Sequence, residues 1–508
     1  LGGLPLRTWR QRLLESNPFG RRVIFQTAER QLRRRVWEDM PAPFEALEAV
    51  RVGLKRGLEA GLEYERGAAG RLAVSPACRN LIALFFQGEK ARKGPAELRA
   101  LHPPEVKRLG VVGAGTMGAG IAQLAALKGC EVVVQEVSQP ALDAGMARIA
   151  DLFAKAVERR LLSEAEAQRR RAAVRGTVSW EGFADMDAVV EAALEDLDAK
   201  RAVFRELETR TKPTAVLATN TSSLPVERLQ EGLTHPERVA GMHFFNPVHK
   251  LPLVELARAP ASAERSLAVL SQLAVQLGKT PLLVKDSPGF VVNRVLMPYL
   301  NEAVVLVAEG MKVQEIDRTM RRFGMPMGPL ELLDQIGLDV AAHVAKSMQP
   351  VLAGRFEPNA AFERMRAGGW LGQKAGRGFY DHKGKRPRVN AQAESLLRGE
   401  GGASQALPPA ARQREARERM VLLTVNEAAL ACAEHLAATA GVIDLALVLG
   451  TGWAPHRGGP LRYADDRGLA DVARALTDLA ARHGRRFEPC AELKRRAEAS
   501  ERFTQRLV

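Results

Sequence analysis

The stretch "RLGVVGAGTMGAGIAQLAALKGCEVVVQEV", residues 108–137, decides the fold. A short apolar run ends in glycines spaced G-x-G-x-x-G, at Gly113, Gly115 and Gly118. An Ala-rich stretch without proline follows, and then a β-branched run. Glycine turns are common, so the spacing alone is a weak signal; a strand before it and a helix after it give it meaning. In such a unit Gly113 makes the tight turn, Gly115 lets backbone approach a pyrophosphate, and Gly118 lets helix pack close to strand. Thr116 and Met117 belong to the same cofactor-binding turn, where the first helical amides and the helix dipole favour an anion. Glu136 lies 21 residues past Gly115, where a carboxylate accepts hydrogen bonds from ribose hydroxyls and repels a 2′-phosphate. The expected cofactor is NAD rather than NADP.

Further apolar runs follow downstream: "DAVVEAA" (187–193), "TAVLATN" (214–220), "RVAGMHF" (238–244) and "TPLLVKD" (280–286). Helix-like stretches separate several of them, which predicts a parallel sheet with crossover helices. After residue 287 strand signals fade and an internal repeat appears. Residues 299–337 read against 424–468: each has N-E-A, an I-D pair, a Gly/Pro turn and G-P-L. The economical reading is a duplicated helical domain, with the loop-rich segment 383–411 between the copies. Upstream, residues 1–100 are helix-like, Arg-rich and broken by Pro18, Pro41, Pro43 and Pro76, and 94–106 has the composition of a linker. The expected division is 1–104, 105–286, 287–384 and 385–508.

The 508 residues are 46% hydrophobic and 26% charged, a globular composition with no apolar run long enough to span a bilayer. The first residue is Leu, which reads as a fragment. Four cysteines stand apart without paired spacing, which fits a reducing, cytoplasmic compartment and offers no metal site. Of the net charge of +15, residues 1–100 carry +8, from 19 basic and 11 acidic residues. The densest patch, "RQLRRR" (30–35), reads as a solvated helix face. No aromatic-interleaved basic motif points to nucleic acid, whereas a polyanionic small molecule suits a basic protein.

The chemistry concentrates in "GMHFFNPVHKLPLVE", residues 241–255, where His243 and Glu255 stand twelve positions apart. Oxidising a secondary alcohol removes a hydride from carbon and a proton from oxygen. NAD takes the hydride, and a histidine is the natural acceptor for the proton. A carboxylate on the second ring nitrogen fixes the tautomer and stabilises the charged ring. Taken alone, His243 reads more readily as a satisfied core histidine. With "NTSSL" (220–224) and "KDSPGFVVNRVL" (285–296) in order after the glycine loop, the chain resembles the 3-hydroxyacyl-CoA dehydrogenase family.

The resemblance runs from about residue 105 to 384, and the repeat extends it to about 470. It implies an NAD-binding Rossmann domain, then a duplicated all-α C-terminal domain, and oxidation of (3S)-3-hydroxyacyl-CoA in fatty-acid β-oxidation. It implies His243 as the base with Glu255 as its partner, and Ser222 and Asn293 as further catalytic groups that also bind substrate. It places Glu195, Lys200, Ser222 and Asn246 beside the cofactor. The wording of 241–255 is nearest to the α-chains of bacterial fatty-acid oxidation complexes, so residues 1–100 resemble the tail of a hydratase domain and its linker. That hydratase's glutamates would lie upstream, and a thiolase subunit is a possible partner of the full-length complex. One departure is Leu449, where some such chains carry a tyrosine that reaches the substrate. His249 reads as a loop residue outside the site. Two alternatives stay open: another β-hydroxyacid dehydrogenase, whose lysine motif is not found here, and an inactive NAD-binding relative.

Overall fold

The apolar runs become strands of one sheet because they are buried on both faces. A computed structural model describes residues 17–504, apart from 38, 353, 357–359, 385 and 398–407. The strands are β1 (Arg108–Val112), β2 (Glu131–Gln135), β3 (Val174–Thr177), β4 (Ala188–Glu191), β5 (Val216–Thr219), β6 (Val239–Phe244), β7 (Leu253–Arg258) and β8 (Thr280–Lys285). Their order across the sheet is β3-β2-β1-β4-β5-β6-β7-β8. The neighbours from β3 through β6 run parallel, with helices such as Thr116–Leu127, Gln139–Glu158 and Leu197–Arg210 in the connections.

The sequence differs from the structure in two places. The sheet is mixed rather than parallel: β7 returns antiparallel to β6, because an eight-residue loop (245–252) joins them without a crossover helix. β8 then pairs parallel with β7 after the crossover helix Glu264–Gln276. The edge strand β3, "VRGT", was not expected from the sequence, since only Val174 is buried in it and it has no apolar alternation.

The repeat past residue 287 has a physical basis. Asp317 accepts hydrogen bonds from the amides of Leu330 and Glu331, and Asp444 accepts from Leu461 and Arg462. Each aspartate therefore caps the helix that starts at G-P-L. A Cβ on Gly328 would lie 2.1 Å from Asp317 Cγ, and one on Gly459 2.3 Å from Asp444 Cβ, so both turns require glycine. The long helices Val292–Ala308 and Pro409–Ala433, which carry the two N-E-A segments, pack on each other. A single apolar core joins one sheet face to both helical copies, and a second core fills the other face. Part of the expected boundary between the copies, residues 398–407, and the first 16 residues of the N-terminal segment lie outside the described residues.

The N-terminal helices Pro18–Arg35, Ala42–Arg56, Leu58–Ala73 and Pro76–Arg92 follow the proline breaks. The last of them packs on β8 and on the second helical copy, where Asn80 donates to His456 O and to Asp466. The expected linker is seated rather than loose. It holds the short helix Ala96–Arg99 with Leu98 buried, and Gln276 bonds both backbone groups of Val106. Among the described residues no helix is long and apolar enough to cross a membrane.

Candidate active site

The antiparallel return of β7 sets His243 directly opposite Glu255 in the strand register. His243 Nδ1 lies 3.0 Å from Glu255 Oε2, and both residues are buried. The other oxygen, Oε1, accepts from the amides of Val291 (3.1 Å) and Val292 (3.0 Å) at the start of the helix Val292–Ala308. Two amides at a helix N-terminus favour a charged carboxylate and fix its plane. The turn that delivers them contains consecutive left-handed residues, Gly289 (φ 75°) and Phe290 (φ 46°). A Cβ on Gly289 would lie 2.7 Å from Met348 Sδ, so the turn needs glycine for space as well as for conformation. The His243 ring packs between Phe245 and Phe290, with centroids 4.5 and 5.8 Å away.

The same helix start carries Asn293, whose Nδ2 donates to Ser222 O at 3.2 Å. This ties the loop after β5 to the helix that holds Glu255. At the far end of that loop Asn220 Oδ1 accepts from Phe244 N, next to His243. Ser222 N donates to Glu195 Oε1, as do the hydroxyls of Thr221 and Ser223. Glu195 and Lys200 form an ion pair. Lys200 is 1% exposed and lies 3.3 Å from Glu195 and 2.7 Å from Glu191. Burial acts to raise the Glu195 carboxyl, but the Lys200 charge and the bonds from Thr221 and Ser222 outweigh it and hold the carboxyl below its ordinary value. His243, Glu255, Asn293, Ser222, Glu195 and Lys200 thus form one connected network.

Glu191 was missed by the sequence reading. Fully buried, it accepts from Lys200 Nζ, Thr219 Oγ1 and Ala193 N. A signal was available: an acid at the end of the apolar run "AVVE" needs a buried partner, and Lys200 is the first basic residue on the next helix.

The glycine loop has the shape its spacing implies. Gly113 has φ 90°, and a Cβ there would meet Ala192 O at 2.7 Å. A Cβ on Gly118 would lie 1.8 Å from Gly113 O, whereas one on Gly115 would meet nothing within 4 Å. The open position is therefore the one where a pyrophosphate needs room. Gly115 caps the helix Thr116–Leu127 without a side-chain cap, which leaves first-turn amides as donors. Glu136 Oε1 accepts from Ala114 N, so its carboxylate stands on the loop. Val137 (88% exposed) and Leu194 (76%), just beyond the ends of β2 and β4, are exposed apolar side chains that the sequence reading did not single out. These residues fit a dinucleotide.

Asn246 is exposed in the loop that follows His243, and His249 is exposed beyond it. Leu449 is partly buried, and a Cβ on its neighbour Gly450 would lie 3.0 Å from Leu253 and Val292 side chains. The second helical copy thus reaches the hairpin of His243 and Glu255 at this point.

Residues 108–287 match the model of the 3-hydroxyacyl-CoA dehydrogenase NAD binding domain, and 289–382 that of the 3-hydroxyacyl-CoA dehydrogenase C-terminal domain. The fatty acid oxidation complex subunit alpha of Idiomarina loihiensis is 35% identical over 499 residues, which cover 97% of this chain and 69% of the relative. The crystal structure of 3-hydroxybutyryl-CoA dehydrogenase from Escherichia coli superposes with a TM-score of 0.67 at 30% identity, covering 78% of this chain and 99% of that one. The dehydrogenase part of multifunctional enzyme 1 from C. elegans superposes with a TM-score of 0.57 at 26% identity, covering 77% and 90%.

Proposed function

The chain belongs to the 3-hydroxyacyl-CoA dehydrogenase family, and from that premise we propose that His243, held by Glu255, is the proton acceptor of its reaction. The protein is an NAD-dependent oxidoreductase that converts 3-hydroxyacyl-CoA to 3-oxoacyl-CoA. NAD, bound over the glycine loop, supplies the hydride acceptor. The observation that carries the assignment is the buried 3.0 Å contact between His243 Nδ1 and Glu255. With Nδ1–H donating to the carboxylate, Nε2 is left as the base for the substrate hydroxyl, and the imidazolium that forms is stabilised by the charge behind it.

Ser222 bonds the substrate oxygen or the nicotinamide, and Asn293 donates to the developing ketone or the thioester. Thr116, Met117 and the three glycines hold the pyrophosphate, and Glu136 the ribose. Glu195, Lys200 and Asn246 line the rest of the cofactor site. The division at 104, 286 and 384 follows the same reading, with residues 1–104 as the tail of a hydratase domain and its linker. Among the described residues, thirteen of the nineteen exposed large apolar side chains fall within residues 19–101, as expected of a layer that another domain covers. The hydratase's own glutamates are not among these residues. A cytoplasmic location and a thiolase partner complete the proposal.

Acetoacetyl-CoA should drive the loss of NADH absorbance. His243→Ala should lower turnover by roughly 10²–10⁴-fold while NADH binding, followed by fluorescence, stays near the wild-type value. Full turnover in this variant rules out the base assignment.

A further inference from the structure

The loop 245–252 leaves the catalytic strand, and nothing in the chemistry above accounts for what holds it. Its own bonds close only a turn: Lys250 N and Leu251 N both donate to Pro247 O. One side leans on the cofactor helix, where a Cβ on Gly120 would lie 3.0 Å from Val248 Cγ2. From below, Lys279, just before β8, sends its ammonium into the loop. Lys279 is 6% exposed, and Nζ donates to Val248 O and, at 2.7 Å, to Leu251 O.

We propose that Lys279 is a positioning residue for this dehydrogenase: its buried ammonium pins the loop that sets Phe245 and Asn246 beside His243. The proposal rests on the reading of His243 as the base.

A buried cation usually has a carboxylate; among the described residues none pairs with Lys279, and two carbonyl dipoles hold it instead. The charged groups near it are basic. Lys128, at the end of the helix Thr116–Leu127, acts on it directly, and His249 and Lys250 lie on the loop itself, with Arg159 beside His249. Burial and then Lys128 bring the Lys279 ammonium down to about 8. It therefore starts to lose charge just above neutrality, and its two bonds weaken as it does. Phe245 stands one residue from the strand end, with its ring 4.5 Å from His243, so slack in the loop is felt at the base within two residues. A misplacement of about 1 Å costs up to about 10²-fold in rate.

The test compares Lys279→Met with wild type. The variant keeps the length of the stem and removes the donors. Turnover with acetoacetyl-CoA and NADH should fall about tenfold or more at pH 7, while NADH affinity by fluorescence changes less than about threefold, because the glycine loop is untouched. The ratio of wild-type to variant turnover should shrink between pH 7 and pH 9.5, as the wild-type ammonium loses its charge. A side chain that matters only for packing would give a constant ratio. Lys279→Gln, which restores amide donors, should recover part of the loss, and it serves for the same pH comparison if the methionine variant does not fold. Turnover of the variant within twofold of wild type overturns the proposal, and so does a ratio that does not move with pH. His243→Ala measured alongside separates the two readings. If it is inactive while Lys279→Met is normal, only the role of Lys279 falls; if it is fully active, the base assignment falls first.

Discussion

Glu255 meets demands that are separate in most carboxylates. One oxygen holds the His243 ring, and the other takes two amides from the start of the helix Val292–Ala308. Glu255→Gln keeps the shape and one acceptor, so the amides can stay satisfied, but the charge behind the imidazolium is lost. A charge contact at about 4 Å is worth of order 4 kcal/mol at an effective dielectric of about 20, before desolvation. Turnover in alcohol oxidation should fall by roughly 10²-fold, with NADH affinity unchanged. A variant with wild-type turnover would reduce Glu255 to a strand-end carboxylate. The pair itself was legible through the resemblance carried by residues 220–224, 241–255 and 285–296, since His243 alone reads as a core histidine. The amides of Val291 and Val292 were not, since a backbone donor from a segment 36 positions away leaves no mark in residue type. Lys279 was hidden for another reason. A buried charge looks like any charge until the fold encloses it.

At the level of elements, the sequence showed six of the eight strands as apolar runs, while the start of β7 lay unmarked within the stretch 241–255. It did not show direction, because residue type along a strand is the same whichever way its neighbour runs. The I-D and G-P-L signals of the repeat are now explained as a cap and its turn, and this gives a pH prediction. Burial pushes the Asp317 carboxyl up to about 7, although hydrogen bonds from the Tyr380 hydroxyl and the Leu330 amide oppose it. The unfolded carboxyl titrates near 3.9. Between these values the folded protein holds a proton that the unfolded chain has released. The stability Asp317 contributes is therefore fully present below about pH 4 and is lost as pH rises through about 7. Asp317→Asn stays neutral and still accepts from Leu330. Its urea midpoint should gain on wild type as pH rises from 5 to 8. A difference that does not vary with pH would mean that the carboxyl titrates normally in the fold.

Across the whole molecule the two helical copies lock together by exchanging arginines. Arg294 bonds Glu427 through Nε and Glu434 through both Nη atoms. Arg419 does the same to Glu302 and Glu309. Arg294 stands 8 residues before Glu302 and 15 before Glu309, and Arg419 stands 8 before Glu427 and 15 before Glu434, so the contact is made twice by a quasi-twofold relation. The N-E-A repeat carried this in the sequence, but not the fact that each glutamate serves the other copy. Removing either arginine leaves buried carboxylates short of a partner, although Arg355 still reaches Glu427 and Arg486 still reaches Glu302. Arg294→Met and Arg419→Met should each destabilise the protein by about 3 kcal/mol, read as matched losses in urea midpoint. Their effects on catalysis should differ. Arg294 sits on the first turn of the helix whose opening amides hold Glu255 and whose Asn293 reaches Ser222. Arg419 lies inside the helix Pro409–Ala433, which holds no group of the network around His243 and Glu255. Under conditions where both variants are fully folded, Arg294→Met should lose turnover severalfold and Arg419→Met should not. Equal losses would mean that the arginines act only by holding the two copies together, with no path from their interface to the His243–Glu255 pair.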